Sequence, residues 1–157
     1  MFGNECTNSY NRNQIGIICA SVANYISNLK TNTMKNFIAK EKTYEIIGTC
    51  MEVHNNLGAG FLEIVYKDAL EYEFRNAGIP YKREKEYAVN YKGVILPHKF
   101  YADFVVFDNI VLEVKGASSI ANEHIAQAIN YLKVSQNRVV LLVNFGEIRL
   151  NYKRLIL

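Results

Sequence analysis

Two acids on strands, Asp103 and Glu113, and a lysine, Lys115, lie within one short stretch of the chain, from Tyr101 to Lys115. Asp103 begins an apolar strand, a turn follows, and a second apolar strand ends in Glu113, one valine and Lys115. Residues i and i+2 of a strand share a face, so Glu113 and Lys115 should point the same way, with Val114 in the core. In a tight hairpin the start of one strand lies beside the end of the next, which places Asp103 close to Glu113.

This arrangement predicts two carboxylates and an ammonium group at one edge of a small sheet. Hard carboxylate oxygens beside an apolar wall suit Mg²⁺, which keeps several waters and takes few protein ligands. The adjacent lysine can stabilise charge on a phosphate or adjust the reactivity of a water molecule. The alternative interpretation is an exposed hairpin end with a surface ion pair, which contributes little to stability.

The composition is that of an ordinary soluble globular domain. The chain has 157 residues, of which 50% are hydrophobic and 21% charged, and this length suffices for one hydrophobic core. A net charge of +3 permits an anionic partner without requiring one. No apolar run approaches the roughly 20 residues that span a bilayer, so no membrane association is expected. The apolar run from Ile15 to Ile26 makes a poor signal peptide.

The cysteines and histidines do not form a metal-binding pattern. Cys6, Cys19 and Cys50 are far apart and odd in number, which favours free thiols in a reducing compartment, and we therefore expect a cytoplasmic protein. The three histidines are equally dispersed, which argues against a zinc site. His54 lies on an apolar helical face and is expected to be a hydrogen-bonded, half-buried side chain.

The first part of the chain reads differently from the rest. Residues 1–33 contain seven asparagines and only three charged residues, with weak periodicity apart from a candidate short helix at Ile15–Leu29. We predict a poorly ordered N-terminal extension over residues 1–40 and a folded domain over residues 41–157. One interpretation is that translation starts at Met34, where a regular pattern begins.

Hydrophobic periodicity and turn residues predict the elements of the folded domain. An apolar run in the second half should form a central strand, and the strand, helix and strand from Ile110 to Val143 then read as a right-handed crossover between parallel strands. The predicted elements are a helix from an N-cap at Thr43 to Leu57, a helix at Leu62–Ala77 with Gly78 as its C-cap, strands at Tyr81–Tyr91 and Val94–Phe100, the hairpin around Asp108-Asn109, a helix at Asn122–Val134, and strands at Arg138–Asn144 and Ile148–Leu157.

Several residues on these elements could serve the carboxylate site. Glu63 lies in the first turn of the second helix, where an acid also complements the helix dipole, and Tyr66 lies on the same side. The apolar stripe of that helix is predicted at Leu62, Val65, Ala69, Leu70 and Phe74. Gln127 and Tyr131 are four residues apart on one face of the third helix and could overlook the site.

A basic and aromatic cluster occupies the first two strands. Basic and aromatic side chains together suit a phosphate backbone and exposed bases. The alternative is an ordinary solvated strand face, since Glu84 and Glu86 dilute the charge, and the sequence slightly favours this alternative. The cluster consists of Lys82, Arg83, Lys85, Lys92 and Lys99, interleaved with Tyr81, Tyr87, Tyr91 and Tyr101.

Taken together, these residues resemble a known family. Asp103, the Glu113-Val114-Lys115 run and the Gln127-x-x-x-Tyr131 pair resemble the PD-(D/E)XK nuclease superfamily, in its branch with a Q-x-x-x-Y helix. The run Gly60-Phe-Leu-Glu63-Ile-Val-Tyr66 further resembles the signature of the bacterial GxxExxY protein family, assigned to that superfamily. The resemblance covers residues 40–157. One departure is Ala102, where the superfamily motif has proline, a residue that shapes a turn and supplies no chemistry.

The resemblance implies a fold, a reaction and a set of residue roles. The implied fold is α/β with a restriction-endonuclease-like core, α-β-β-β-α-β in outline, in which helices flank a mixed sheet of four to five strands. The implied reaction is hydrolysis of phosphodiester bonds, with DNA as the expected substrate and Mg²⁺ or Mn²⁺ as the cofactor. By the same resemblance the metal ligands are Asp103, Glu113, the Val114 carbonyl and Glu63, while Lys115 orients the attacking water or stabilises the phosphate, and Gln127 and Tyr131 position their helix or touch the substrate.

Two further expectations accompany this reading. A small enzyme of this kind often needs a second subunit to hold a duplex, so a homodimer is consistent with it. The alternative function is a non-catalytic module on the same fold that binds nucleic acid or another protein. The simultaneous presence of Asp103, Glu113, Lys115 and Glu63 favours the nuclease, because a scaffold has no need for like charges that converge on one site.

Overall fold

The computed structural model describes residues 40–156, in which two helices precede a five-stranded sheet and a third helix lies between its third and fourth strands. The first helix, α1, covers residues 40–57 of the described chain. The remaining elements are α2 (Glu63–Asn76), β1 (Tyr81–Tyr91), β2 (Val94–Val106), β3 (Ile110–Lys115), α3 (Asn122–Ser135), β4 (Val139–Asn144) and β5 (Asn151–Ile156).

The five strands form one mixed sheet in the order β1-β2-β3-β4-β5. Strands β3 and β4 run parallel, and every other neighbouring pair is antiparallel. The parallel pair and the helix between its strands confirm the predicted crossover between parallel strands, while its right-handedness stays a prediction. All six residues of β4 are buried, as are five of the six in β3. These central strands are covered on both faces, which explains their nearly continuous apolar sequence.

The core has two parts, one on each face of the sheet. Helices α1 and α2 contribute to the first, with Ile46, Leu70 and Phe74 packed against alternate residues of β3 and β4. Helix α3 contributes Ala128, Tyr131 and Leu132 to the second. The mixed sheet flanked by helices confirms the predicted α/β, restriction-endonuclease-like fold class.

Strand β2 changes faces at Asp103. Phe104 and Val106 pack on the α1–α2 side, whereas Phe100 and Ala102 pack on the α3 side. Alternate residues of a regular strand share one face, so the strand must be irregular between Ala102 and Phe104. The opposite strand is irregular at the same level, where Glu84 has a φ of +49°.

The sheet also opens at this level. Strand β2 pairs with β3 only from Phe104 to Val106, while its pairing with β1 extends over the whole hairpin. Beyond Asp103 the hairpin therefore continues without β3 beside it. The β1–β2 register itself shifts between Ala88 and Asn90, opposite Pro97, as expected for a proline within a strand.

Several predicted element boundaries are wrong. Thr43 is not an N-cap, because residues 40–42 already belong to α1 and Thr43 is buried within it. Strand β2 is one continuous strand from Val94, not a separate strand that ends at Phe100. The final strand begins at Asn151 and not at Ile148, whose side chain is almost fully exposed in the preceding turn.

Helix α2 lies where it was predicted, with two local differences. Leu62 precedes the helix and is exposed, and Tyr66 is buried in the stripe in its place. Ala77 is the C-cap, and Gly78 follows it with a φ of +66°, a conformation that favours glycine after a helix end. Leu70 and Phe74 are buried as predicted, whereas Val65 and Ala69, also predicted for the stripe, are only partly buried.

The N-terminal predictions lie outside the described residues. These are the extension over residues 1–40, of which only residue 40 is described and is helical, the start at Met34, the short helix at Ile15–Leu29 and the poor signal peptide at Ile15–Ile26. Within residues 40–156, no helix is both long and apolar enough to cross a membrane.

Candidate active site

Asp103 and Glu113 lie side by side where the sheet opens. The backbone N–H of Asp103 donates to Oε1 of Glu113 over 3.4 Å, and the N–H of Val114 donates to Oδ2 of Asp103 over 2.8 Å. Backbone pairing between β2 and β3 stops at Phe104, and beyond it the side chain of Asp103 accepts the hydrogen bond of a β3 N–H. The irregularity in β2 thus holds the carboxylate of Asp103 against the end of β3.

Lys115 completes the predicted trio. Its Nζ lies 3.7 Å from Oε2 of Glu113, as expected for residues i and i+2 on one face of a strand. The side chains of Glu113 and Lys115 are 2% and 13% exposed. The alternative interpretation of an exposed hairpin end with a surface ion pair is therefore wrong.

Burial of two neighbouring acids changes the protonation of Glu113. Burial, and then the negative charge of Asp103, raise the pKa of Glu113 to about 8, against the opposing effect of Lys115 and Lys67. Burial is the larger of the two causes, and repulsion between the two carboxylates adds to it. A bound cation would relieve this repulsion.

Glu63 lies at the neighbouring end of β3. Its Oε1 accepts a hydrogen bond of 3.0 Å from the N–H of Gly116, the residue that follows Lys115. Glu63 also lines an open cleft together with Lys67, Gly116 and the exposed apolar residues Phe61, Leu62 and Ile64. Within residues 40–156, no three His, Cys, Asp or Glu side chains approach closely enough to hold a metal ion.

The turn before α2 fixes the start of that helix. Gly58 and Gly60 have positive φ angles of 70° and 108°. The hydroxyl of buried Tyr66 donates to the carbonyl of Gly58 over 2.8 Å and accepts from the N–H of Phe61 over 3.1 Å. Its ring stacks on Phe145. The spacing of Gly60, Glu63 and Tyr66 therefore serves to lock the turn that presents Glu63.

We expect Tyr66→Phe to lower the free energy of unfolding by about 1–3 kcal/mol, because two backbone groups lose their buried partner. Tyr72→Phe, at an exposed position of the same helix, is the matched control and should change stability little. Urea unfolding measures both. Equal stability of the two variants would show that the Tyr66 hydroxyl does not hold the turn.

Helix α3 packs on the same site from the face of the sheet opposite to α1 and α2. The hydroxyl of Tyr131 donates to the carbonyl of Tyr101 over 2.7 Å, two residues before Asp103. Burial, followed by the charges of Glu113 and Asp103, raises the pKa of Tyr131, and a hydrogen bond from Gln127 partly opposes this. The charges of both acids therefore act on the Tyr131 hydroxyl. Gln127, one helical turn before Tyr131, is hydrogen-bonded to that hydroxyl.

The segment after Lys115 is clamped by Asn144, the last residue of β4. The side chain of Asn144 donates to the carbonyl of Ala117 over 2.8 Å and accepts from its N–H over 3.0 Å. A Cβ on Gly146 would lie 2.3 Å from the Ala117 carbonyl oxygen, so only glycine fits there. The end of β3 is thus held firmly on the side opposite Asp103.

Comparison with known families agrees with this geometry. A family model for the PD-(D/E)XK nuclease superfamily matches residues 40–155. The chain belongs to this superfamily. A search of curated proteins found no match. A solved structure titled "Crystal structure of SSO0001" aligns with 20% identity and a TM-score of 0.48, and the alignment covers 60% of this chain and 50% of that one.

The PD-(D/E)XK domain brings together most of the predicted site. Asp103, Glu113 and Lys115 form its buried centre, with Tyr131 and Gln127 on one side. Glu63 lies beside the end of β3 but makes its hydrogen bond to Gly116, so its role as a metal ligand stays a prediction. His54 is nearly buried, and its Nε2 is hydrogen-bonded to the carbonyl of Glu147, as predicted for a satisfied histidine.

Three of the five basic residues in the strand cluster form ion pairs with acids. Lys82 pairs with Asp108, Arg83 with Asp68 and Glu71, and Lys99 with Glu86. These ion pairs favour the alternative of a solvated strand face over a dedicated phosphate-binding surface.

Sequence reasoning missed Lys67, Glu84 and Asn144. Lys67 contacts Asp103 directly, with Nζ at 3.0 Å from Oδ1, and also contacts Glu84 at 2.9 Å. Its position four residues after Glu63 on the same helical face was an available indication. For Asn144, the indication was a polar residue that closes an otherwise apolar strand.

Proposed function

We propose that this chain is a nuclease that uses Mg²⁺ or Mn²⁺ to hydrolyse phosphodiester bonds in DNA, and that it is a member of the GxxExxY family. The observation that carries this proposal is the trio of buried Glu113 and largely buried Asp103 and Lys115 within a PD-(D/E)XK domain. The run Gly60, Glu63 and Tyr66 supports the narrower family assignment.

The donor set fits a hard divalent cation. Asp103 and Glu113 offer carboxylate oxygens, and burial together with the neighbouring charge of Asp103 raises the pKa of Glu113, so a divalent ion would favour its ionised form. We assign these two residues and the Val114 carbonyl as ligands, with Glu63 as an additional acid. A bound divalent ion would supply Lewis acidity and an activated water.

The other residues act by position and charge. Lys115 can hold the attacking water in place or donate to a phosphate oxygen as negative charge develops. Tyr131, anchored on the Tyr101 carbonyl, fixes α3 against the strand that carries Asp103. Gln127 supports Tyr131, and either residue can contact the substrate. The proposal also includes a homodimer, in which two subunits hold a duplex, and a cytoplasmic location.

Cleavage and melting assays with divalent metal test the proposal. We expect end-labelled DNA to be cut in Mg²⁺ or Mn²⁺ and left intact in EDTA, with single- and double-stranded DNA and RNA compared side by side. Metal at 100 times its Kd should also stabilise the fold by about 2.7 kcal/mol, seen as a higher melting temperature.

The outcomes separate the nuclease from its alternative. A melting shift without cleavage would indicate a latent enzyme that needs a partner. Neither cleavage nor a shift at millimolar metal would contradict the proposed nuclease, and nucleic-acid binding without metal would then favour the non-catalytic module on the same fold.

A further inference from the structure

Lys67 places a cation directly on the proposed metal ligand. Its Nζ lies 3.0 Å from Oδ1 of Asp103 and 2.9 Å from Oε1 of Glu84. The side chains of Lys67 and Asp103 are each only 14% exposed, so solvent screens this contact weakly. A lysine that contacts two carboxylates carries its ammonium charge at neutral pH.

The carboxylate of Asp103 is already engaged at both oxygens. Oδ2 accepts from the N–H of Val114, and Oδ1 accepts from Lys67. A divalent ion that bound Asp103 would have to share the carboxylate with an ammonium group. Two cations on one carboxylate repel each other, and they do so strongly where water is scarce.

Glu84 offers the ammonium group a second partner. The backbone of Glu84 has a φ of +49°, which is costly for a residue other than glycine, and it lies opposite the irregularity at Asp103. Irregular strand positions of this kind redirect side chains next to functional sites. The side chain of Glu84 is half-exposed, so it can keep Lys67 at the rim of the site.

We propose that Lys67 is the resident counter-cation of this site, shared between Asp103 and Glu84, and that a divalent ion must displace it from Asp103 in order to bind. Lys67 thereby sets the metal affinity, and Glu84 sets how easily Lys67 leaves. This inference rests on the proposed metal-dependent function, because it requires that Asp103 bind the ion.

Metal titration of the full chain tests the inference without any need for catalysis. Mn²⁺ binding is measured by isothermal titration calorimetry, after removal of metal with EDTA, for the wild type, Lys67→Met, Lys67→Arg and Glu84→Gln. We expect Lys67→Met to bind Mn²⁺ about tenfold more tightly or better, because the competing charge is gone. Lys67→Arg keeps the charge and should bind like the wild type.

Glu84→Gln should bind Mn²⁺ more weakly than the wild type, because Lys67 then has only Asp103 as its anion. The double variant Lys67→Met/Glu84→Gln gives the decisive coupling. If Glu84 acts through Lys67, most of its effect should disappear once Lys67 is absent. A residue that merely holds Asp103 in place would give the opposite sign, with weaker binding in Lys67→Met.

The possible failures are distinguishable. Mn²⁺ binding that is unchanged or weaker in Lys67→Met would overturn the counter-cation role and leave the metal site intact. No binding in the wild type or in any variant would overturn the metal site itself, and this inference with it. If Lys67→Met does not fold, as judged by circular dichroism, Mn²⁺ binding by Glu84→Gln that equals the wild type overturns the inference.

Discussion

Replacement of Lys115 by methionine should reduce metal-dependent DNA cleavage by about 10²–10³-fold, the usual cost of removing one donor that stabilises transition-state charge. The change keeps the apolar stem of the side chain and removes the ammonium group that lies 3.7 Å from Glu113. Metal binding should persist, because Lys115 is not a ligand. The measurement is single-turnover cleavage of labelled DNA in Mg²⁺.

Glu113→Gln should reduce cleavage at least as much and should also weaken metal binding, because a carboxylate ligand becomes a neutral amide. The matched controls are Lys153→Met and Glu45→Gln, at exposed positions on β5 and α1, and both should cleave like the wild type. Full activity in Lys115→Met or Glu113→Gln would place the chemistry elsewhere in the molecule. A loss of metal binding in Lys115→Met would show that the lysine supports the ligands rather than the reaction.

The metal-free protein should lose stability as the pH rises from about 4.5 to about 8. Glu113 has a pKa of about 8 in the folded protein and near 4.5 when solvated. Between these values the folded state retains a proton that the unfolded state has released, so each rise in pH favours unfolding. Because one pKa unit corresponds to about 1.4 kcal/mol, the decrease should amount to a few kcal/mol.

Urea unfolding in EDTA at a series of pH values measures this decrease. Glu113→Gln cannot release the proton, so its unfolding free energy should lack the decrease attributed to Glu113. Saturating metal should also flatten the wild-type profile, because the ion stabilises the ionised carboxylate. If wild type and Glu113→Gln lose stability in parallel across this range, the pH dependence comes from other groups.

The central sheet could be predicted from the sequence because its signals are local. The run from Val139 to Val143 is apolar at every position, and such a short run of mostly β-branched residues suits a strand covered on both faces. The strand period of two then placed Glu113 and Lys115 on one face, and the short turn before β3 placed Asp103 beside them. These inferences needed only neighbours in sequence or directly across a hairpin.

The features that could not be predicted from the sequence depend on packing between elements that are distant in the chain. The contact of Lys67 with Asp103 requires the docking angle of α2 on the sheet, which no local pattern encodes. The change of face at Asp103 breaks the regular alternation that sequence reasoning assumes. The predicted final strand begins at Ile148, but Glu147 bonds with Asn144 and Asn151, which makes a turn there and leaves Ile148 exposed.

The opening of the sheet separates two parts of the chain of unequal rigidity. Glu113 and Lys115 belong to a strand paired with β4 along its whole length and clamped at its end by Asn144. Asp103 lies at the base of the part of the β1–β2 hairpin that extends beyond β3, which we call the hairpin arm. Strand β2 pairs with β3 only over Phe104 to Val106. The base of the arm is tied to the domain through Ala102 in the core under α3, the hydrogen bond of Tyr131 to Tyr101 and the contact of Lys67 with Asp103. The part of the arm before Phe100 lacks these ties, so its amide hydrogens should exchange with solvent faster than those of β3 and β4.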